Sequence, residues 1–228
     1  MQKESDNNVK IIVLDRIDTL RAKHEHVLDN LAMDILRVLT TSTDMEVRRK
    51  AIGIALHMVT GRNVEEVVGL LRKQLTRTLE AEYEKVRLVF FMSLAPGTRE
   101  VTGFAMQNME YRQLLIQSIH ICAIKFSDVA ASVVHALMEF LGEPSNPSAV
   151  DVIAFVREVV EKFPNLRKRI IEHLLASFAD IKSGKVFRGA MWIAGEYCVD
   201  TAGESRISAE GVSKLMGRVR YPGRVRAV

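Results

Sequence analysis

Proline and aromatic residues are scarce in this 228-residue chain, with five prolines, 6% Phe/Trp/Tyr and a single tryptophan. With Leu, Ile, Val, Ala, Arg and Glu abundant, that composition leans towards helix. Cysteine is scarcer still. Cys122 and Cys198 sit in apolar, helix-like contexts and read as buried free thiols of a reducing compartment. No apolar run approaches the ~20 residues needed to span a bilayer. The opening "MQKESDNN" has no apolar core of a secretory signal. The expected location is cytoplasmic, with membrane contact only peripheral and through partners. The chemical motifs are missing too. There is no H-E-x-x-H, C-x-x-C, G-x-G-x-x-G or G-x-S-x-G, and Gly184–Lys185 lacks the upstream glycine of a P-loop. The expectation is therefore no catalytic residue, no cofactor, no metal and no small-molecule substrate.

A broadly basic body is also absent, although the isoelectric point is near 9.1. Residues 203–228 hold six Lys/Arg against two Glu, which leaves 26 charges of each sign on residues 1–202. The body is neutral and the basicity sits in the tail. That distribution disfavours a nucleic-acid partner, whose electrostatic footprint is a basic face.

What the chain has is helical periodicity. "NVKIIVLDRIDTL" and "HVLDNLAMDILRVL" carry apolar residues at three- and four-residue spacing. "TDMEVRRKAIGIALHMVTG" starts behind Asp44, a candidate N-cap, and stops at Gly61, a candidate terminal glycine. Asn63 then opens "NVEEVVGLL", with Glu66 placed for a capping box. The pattern repeats at "KFSDV" and "KFPNL", each a helix end, a polar cap and a new amphipathic helix. From Asp128 to Asn165 is 37 residues, close to the ~40–47 of two-helix HEAT or armadillo repeats. An all-α solenoid of antiparallel helix pairs is the predicted fold, since one pair alone cannot bury its apolar faces.

"RGAMWIAGEYC", residues 188–198, places Arg188, Trp192 and Glu196 at helical spacing beside Gly189 and Gly195. With further apolar stripes on the same segment, it reads as an inner helix in which Trp192 is buried, Arg188 stacks on it and the glycines admit a close neighbour. No second carboxylate or nucleophile is placed to turn Glu196 into a general acid. His24, His26, His57, His120, His135 and His173 form no ligand pattern. The basic run "LRKRIIEH" reads as a solvated helix face.

Several blocks carry a resemblance. "MDILRVLTTSTDMEVRRKAIGIALHMVTGRNVEEVVGLLRKQL", "YRQLLIQSIHICAIKFSDVAASVVHALMEFLGE" and "FRGAMWIAGEYC" resemble the trunk of the coatomer beta-subunit family, within the adaptin/coatomer large-subunit trunks. The match covers most of residues 8–200. It implies a HEAT-like solenoid and a non-enzymatic COPI vesicle-coat component of Golgi–ER transport. The implied partners are other coatomer subunits, especially delta, and the small GTPase Arf in its GTP form, at Golgi membranes. It also implies a structural role in the tryptophan helix for Arg188, Trp192, Gly195, Glu196 and Tyr197. The family's chains are far longer, so this chain corresponds to part of one. The reading from another class is a HEAT scaffold of a nuclear carrier or phosphatase complex, which the family blocks disfavour.

Two segments break the grammar. Residues 86–107, "VRLVFFMSLAPGTREVTGFAMQ", read as strand, turn and strand, and residues 212–228, "VSKLMGRVRYPGRVRAV", at the end of a basic, irregular tail 201–228 outside the trunk, lack helical periodicity. Asn63 to Asp128 is 65 residues, and removing 86–107 brings the spacing into the repeat range. Val86–Arg87 and Val212–Ser213 can be encoded by a splice-donor sequence and Gln107 by an acceptor, so both segments are expected to be translated introns. Sequencing mature cDNA across codons 80–112 should show the 22 codons of residues 86–107 removed; a mature transcript that keeps them contradicts the expectation.

Overall fold

The computed structural model describes residues 6–24, 28–92, 99–142 and 148–197. Cys198, His26 and the tail 201–228 lie outside them. The chain divides into two compact units, residues 1–129 and 130–228. Among the described residues the regular elements are all helical.

In the first unit, α1 (Asn7–Lys23) starts behind Asp6, whose carboxylate accepts from the Asn8 N–H at 2.8 Å. It packs on α4 (Met45–His57), burying Leu14, while Lys50 of α4 pairs with Asp15 at 2.6 Å. "HVLDNLAMDILRVL" is not one helix. A 3₁₀ turn at Asp29–Leu31 leads into α2 (Ala32–Leu36) and α3 (Val38–Thr41). Ala32, Ile35, Leu36, Val38 and Leu39 are all buried. An unbroken helix would rotate Val38 about 120° from Ala32, so the break lets all five reach the core.

Asp44 caps α4 as expected, accepting from the Val47 N–H at 3.0 Å. The expected stop at Gly61 is corrected: α4 ends at His57, before Met58 and Val59, which turn into the core. Asn63 organises that turn. Its Oδ1 accepts from the Thr60 N–H at 2.8 Å and its Nδ2 donates to the Met58 carbonyl at 3.1 Å.

Helices α5 (Val64–Met92) and α6 (Arg99–Lys125) pack together and run to 29 and 27 residues. This corrects the strand–turn–strand reading of 86–107, since 86–92 end α5 and 99–107 begin α6. Extending a formed helix adds one hydrogen bond per residue fixed and needs no new nucleus, which outweighs a short β-prone run. Where α6 meets α4, Tyr111 is 2% exposed beneath the Arg48 guanidinium, 4.0 Å from the ring centre. Arg48 Nε also donates to the Ser42 carbonyl at 2.8 Å. Burial pushes the Tyr111 phenol up to about 12, against the pull of Arg48 and Arg77. Arg49 pairs with Glu110 across the same contact.

The second unit contains most of α7 (Ser127–Met138), then α8 (Ser148–Lys162), α9 (Arg167–Ser177) and α10 (Gly184–Tyr197). Along α8, Ala149, Val152, Ile153, Val156, Val159 and Val160 form one buried stripe. Arg167 closes the helix end: its Nε donates to the Val160 carbonyl at 2.8 Å and its Nη2 to that of Glu161 at 3.2 Å. In the basic run, Lys168 and Arg169 are exposed while Ile170, Ile171, Leu174 and Leu175 are buried, which is the expected solvated face.

His135 of α7 and His173 of α9 stack at 4.1 Å between ring centres. Burial lowers the His173 pKa, and His135 lowers it further against Glu139; Arg169 lines the same crevice. A lowered folded-state pKa means that the unfolded chain binds the proton more readily. Stability from this contact is present above the ordinary histidine value of about 6.5 and is lost as pH falls through the lower folded value. Urea unfolding between pH 7.5 and 5 should therefore show stability falling with acid, and His173→Gln should flatten that slope. An unchanged slope would show that the stack contributes nothing.

Candidate functional site

Helix α10 carries the tryptophan ridge, and it buries one face only. Val186, Ala190, Ile193 and Ala194 turn inward as α10 packs on α8 and α9. Lys185, Arg188, Trp192, Gly195 and Glu196 are on its exposed side. This corrects the expectation of an inner helix: Trp192 is 46% exposed. The buried stripe falls at i, i+4, i+7 and i+8 from Val186, and Trp192 lies about 100° round the helix from Ile193.

The cation over Trp192 is Arg157 of α8, with its guanidinium 4.5 Å from the ring, which corrects the assignment to Arg188. Tyr197 meets Trp192 edge-on at 6.4 Å, and Arg167 lies 5.1 Å from the Tyr197 ring. The result is a surface chain of Arg157, Trp192, Tyr197 and Arg167 contributed by three helices. Of the five residues singled out in sequence, the structure brings Trp192 and Tyr197 together. It leaves Arg188, Gly195 and Glu196 exposed beside them. Arg157 and Arg167 were missed because their contacts depend on the register between helices.

The two glycines of the ridge differ. A Cβ on Gly189 would sit 2.5 Å from Ile153 Cγ2, so the close approach of α10 to α8 needs glycine there. Around Gly195 the same atom would meet nothing within 4 Å, so no neighbour requires it. Above the Gly189–Ile153 contact lies an open groove of about 650 Å³, lined by Val150, Ile153, Arg157, Lys185 and Trp192 among others.

This surface is suited to recognition. Trp192 and Arg157 are exposed, with Tyr197 and Arg167 half-buried beside them, and Trp, Tyr and Arg are the side chains that dominate protein interfaces. Elsewhere, Cys122 is buried and its thiol is pushed up to about 11 by desolvation, an inert environment for a nucleophile. Among the described residues, no cluster of three or more His, Cys, Asp or Glu could hold a metal ion.

Gly189→Ala should lower stability by about 1 kcal/mol, because overpacking of ~1–3 kcal/mol exceeds the ~1 kcal/mol gained in helix propensity. Gly195→Ala should raise stability by up to ~1 kcal/mol. Urea midpoints of the two variants check the pair; equal shifts would show that α10 does not approach α8 in this way.

Comparison with known proteins places the fold. The family described as the adaptin N-terminal region matches residues 1–219. The chain is 46% identical over 199 residues to coatomer subunit beta of Sus scrofa, covering 86% of this chain and 18% of that protein. It is 42% identical over 219 residues to coatomer subunit beta-2 of Arabidopsis thaliana, covering 96% and 20%. With coatomer subunit beta of Drosophila melanogaster it shares 45% over 197 residues, covering 86% and 18%. The chain thus spans about a fifth of the length of these relatives. The chain belongs to the adaptin N-terminal family, whose fold class is the HEAT/armadillo-like helical solenoid.

Proposed function

We propose that this chain is a segment of a COPI coat subunit of the coatomer beta type, working without catalysis by packing helices against other coatomer subunits. The observation that carries the reading is the 46% identity to coatomer subunit beta across 86% of the chain. The site supports it, since its exposed groups are aromatic and guanidinium side chains suited to contact surfaces. In this reading the partners include the delta subunit. Membrane association is peripheral, on the cytosolic face of the Golgi and its vesicles, and follows recruitment by Arf in its GTP form. Among the described residues no helix is long and apolar enough to cross a membrane.

We further propose that residues 86–107 are an insert in the trunk and that the tail 201–228 lies outside it, with 86–107 and 212–228 as translated introns. The repeat spacing supports this for 86–107, while residues 86–92 and 99–107 are helical and present no β-edge.

Expression of the full chain in cells with an affinity tag, followed by quantitative mass spectrometry, tests the coat reading. Other coatomer subunits should be enriched together, at least tenfold over a HEAT-repeat control of similar size. Enrichment no greater than that control contradicts it.

A further inference from the structure

We propose that the groove between α8 and α10 seats one amphipathic helix of a partner protein, antiparallel to both, with basic residues at its N-terminal end, an apolar middle and acidic residues at its C-terminal end. The direction follows from register. Ile153 faces Gly189, and one turn further along both helices Arg157 lies over Trp192. The two helices therefore run parallel. Their N-terminal ends, where backbone dipoles are positive, meet at the Lys185 end of the groove, and their C-terminal ends meet at the Glu161 end. Neither Lys185 nor the Glu161 carboxylate has an ion-pair partner among the described residues. One end of the groove thus offers a free cation and the other a free anion, about 18 Å apart at 1.5 Å per residue.

Between those ends the floor is formed by apolar side chains, while Arg157, lying over Trp192, and Glu158 carry charge on the α8 wall. Val150 is 47% exposed and Trp192 46%, with Ile153 and Gly189 between α8 and α10. An extended peptide laid on it would face helices whose backbone groups are already bonded, leaving its own N–H and C=O groups unpaired. A helix satisfies its backbone internally and needs only a stripe of side chains to fill the groove. Its dipole, running opposite to those of α8 and α10, favours the same orientation as the two end charges. An anionic lipid surface fits less well, because Glu158 and Glu161 line the groove.

The inference stands on the groove itself and not on the coat reading. Its test uses a designed probe, so its failure leaves that reading intact. The full chain is titrated with a synthetic, tryptophan-free amphipathic peptide of about 14 residues. Its N-terminal turn is basic, its middle apolar and its C-terminal turn acidic, and a twin peptide carries glutamine in place of the charged end residues. Trp192, the chain's one tryptophan, reports binding directly. The matched peptide should blue-shift its emission saturably and bind about tenfold tighter than the twin. Lys185→Gln combined with Glu161→Gln should abolish that preference. No saturable shift, equal affinity for the two peptides, or a shift that follows protein concentration alone overturns the proposal; so does a folded double variant that keeps the original preference.

Discussion

A helix of 12 to 17 residues gains too little from its own hydrogen bonds to persist in water, so it survives by burying an apolar stripe on a neighbour. That constraint runs through both units. Helix α4 meets it by packing on α1, α2 and α6, and α8 meets it by packing on α9 and α10. Helices two or three places apart in the chain supply much of the cover, as in α2 on α4, α4 on α6 and α8 on α10. The longest pair, α5 and α6, follows the same rule, packing on each other and on α2 and α4.

The joins hold because a few polar groups satisfy helix ends. Asp44 accepts from an orphan N–H at the start of α4, Asn63 ties the following turn, and Arg167 fills carbonyls at the end of α8. The same side chain can then serve two purposes. Arg167 finishes α8 and also lies against the Tyr197 ring, so the surface aromatic chain is anchored to the skeleton of the unit. Arg48 does likewise in the first unit, bonding the Ser42 carbonyl while covering Tyr111.

Periodicity and caps made the fold class legible, because they are local properties written within a dozen residues. Asp44 as a cap and the helix starts at Val64 and Ser127 could be read directly from residue order. Two local readings failed where a non-local choice overrode them. Gly61 did not end α4 because Met58 and Val59 are drawn into the core, and residues 86–92 joined a helix already formed. The ridge was half legible. Its helix and the need for Gly189 followed from residue spacing, but Arg157 is 35 positions from Trp192, and only the α8–α10 register brings them together. Gly195 shared its neighbour's appearance without its contact.

The displayed tryptophan turns this packing into a surface. α10 spends its apolar stripe on α8 and α9, and the large ring left outside is steadied by a guanidinium above and a tyrosine at its edge. Such a ring is available to a partner in a way that a core residue is not. The measurement that bears most directly on this account is the fluorescence of Trp192 in the folded, unliganded chain, with iodide as quencher. Surface display predicts a red-shifted emission that iodide quenches before any unfolding occurs. A blue emission that iodide reaches only after denaturation would contradict it, and would return Trp192 to the interior of the stack.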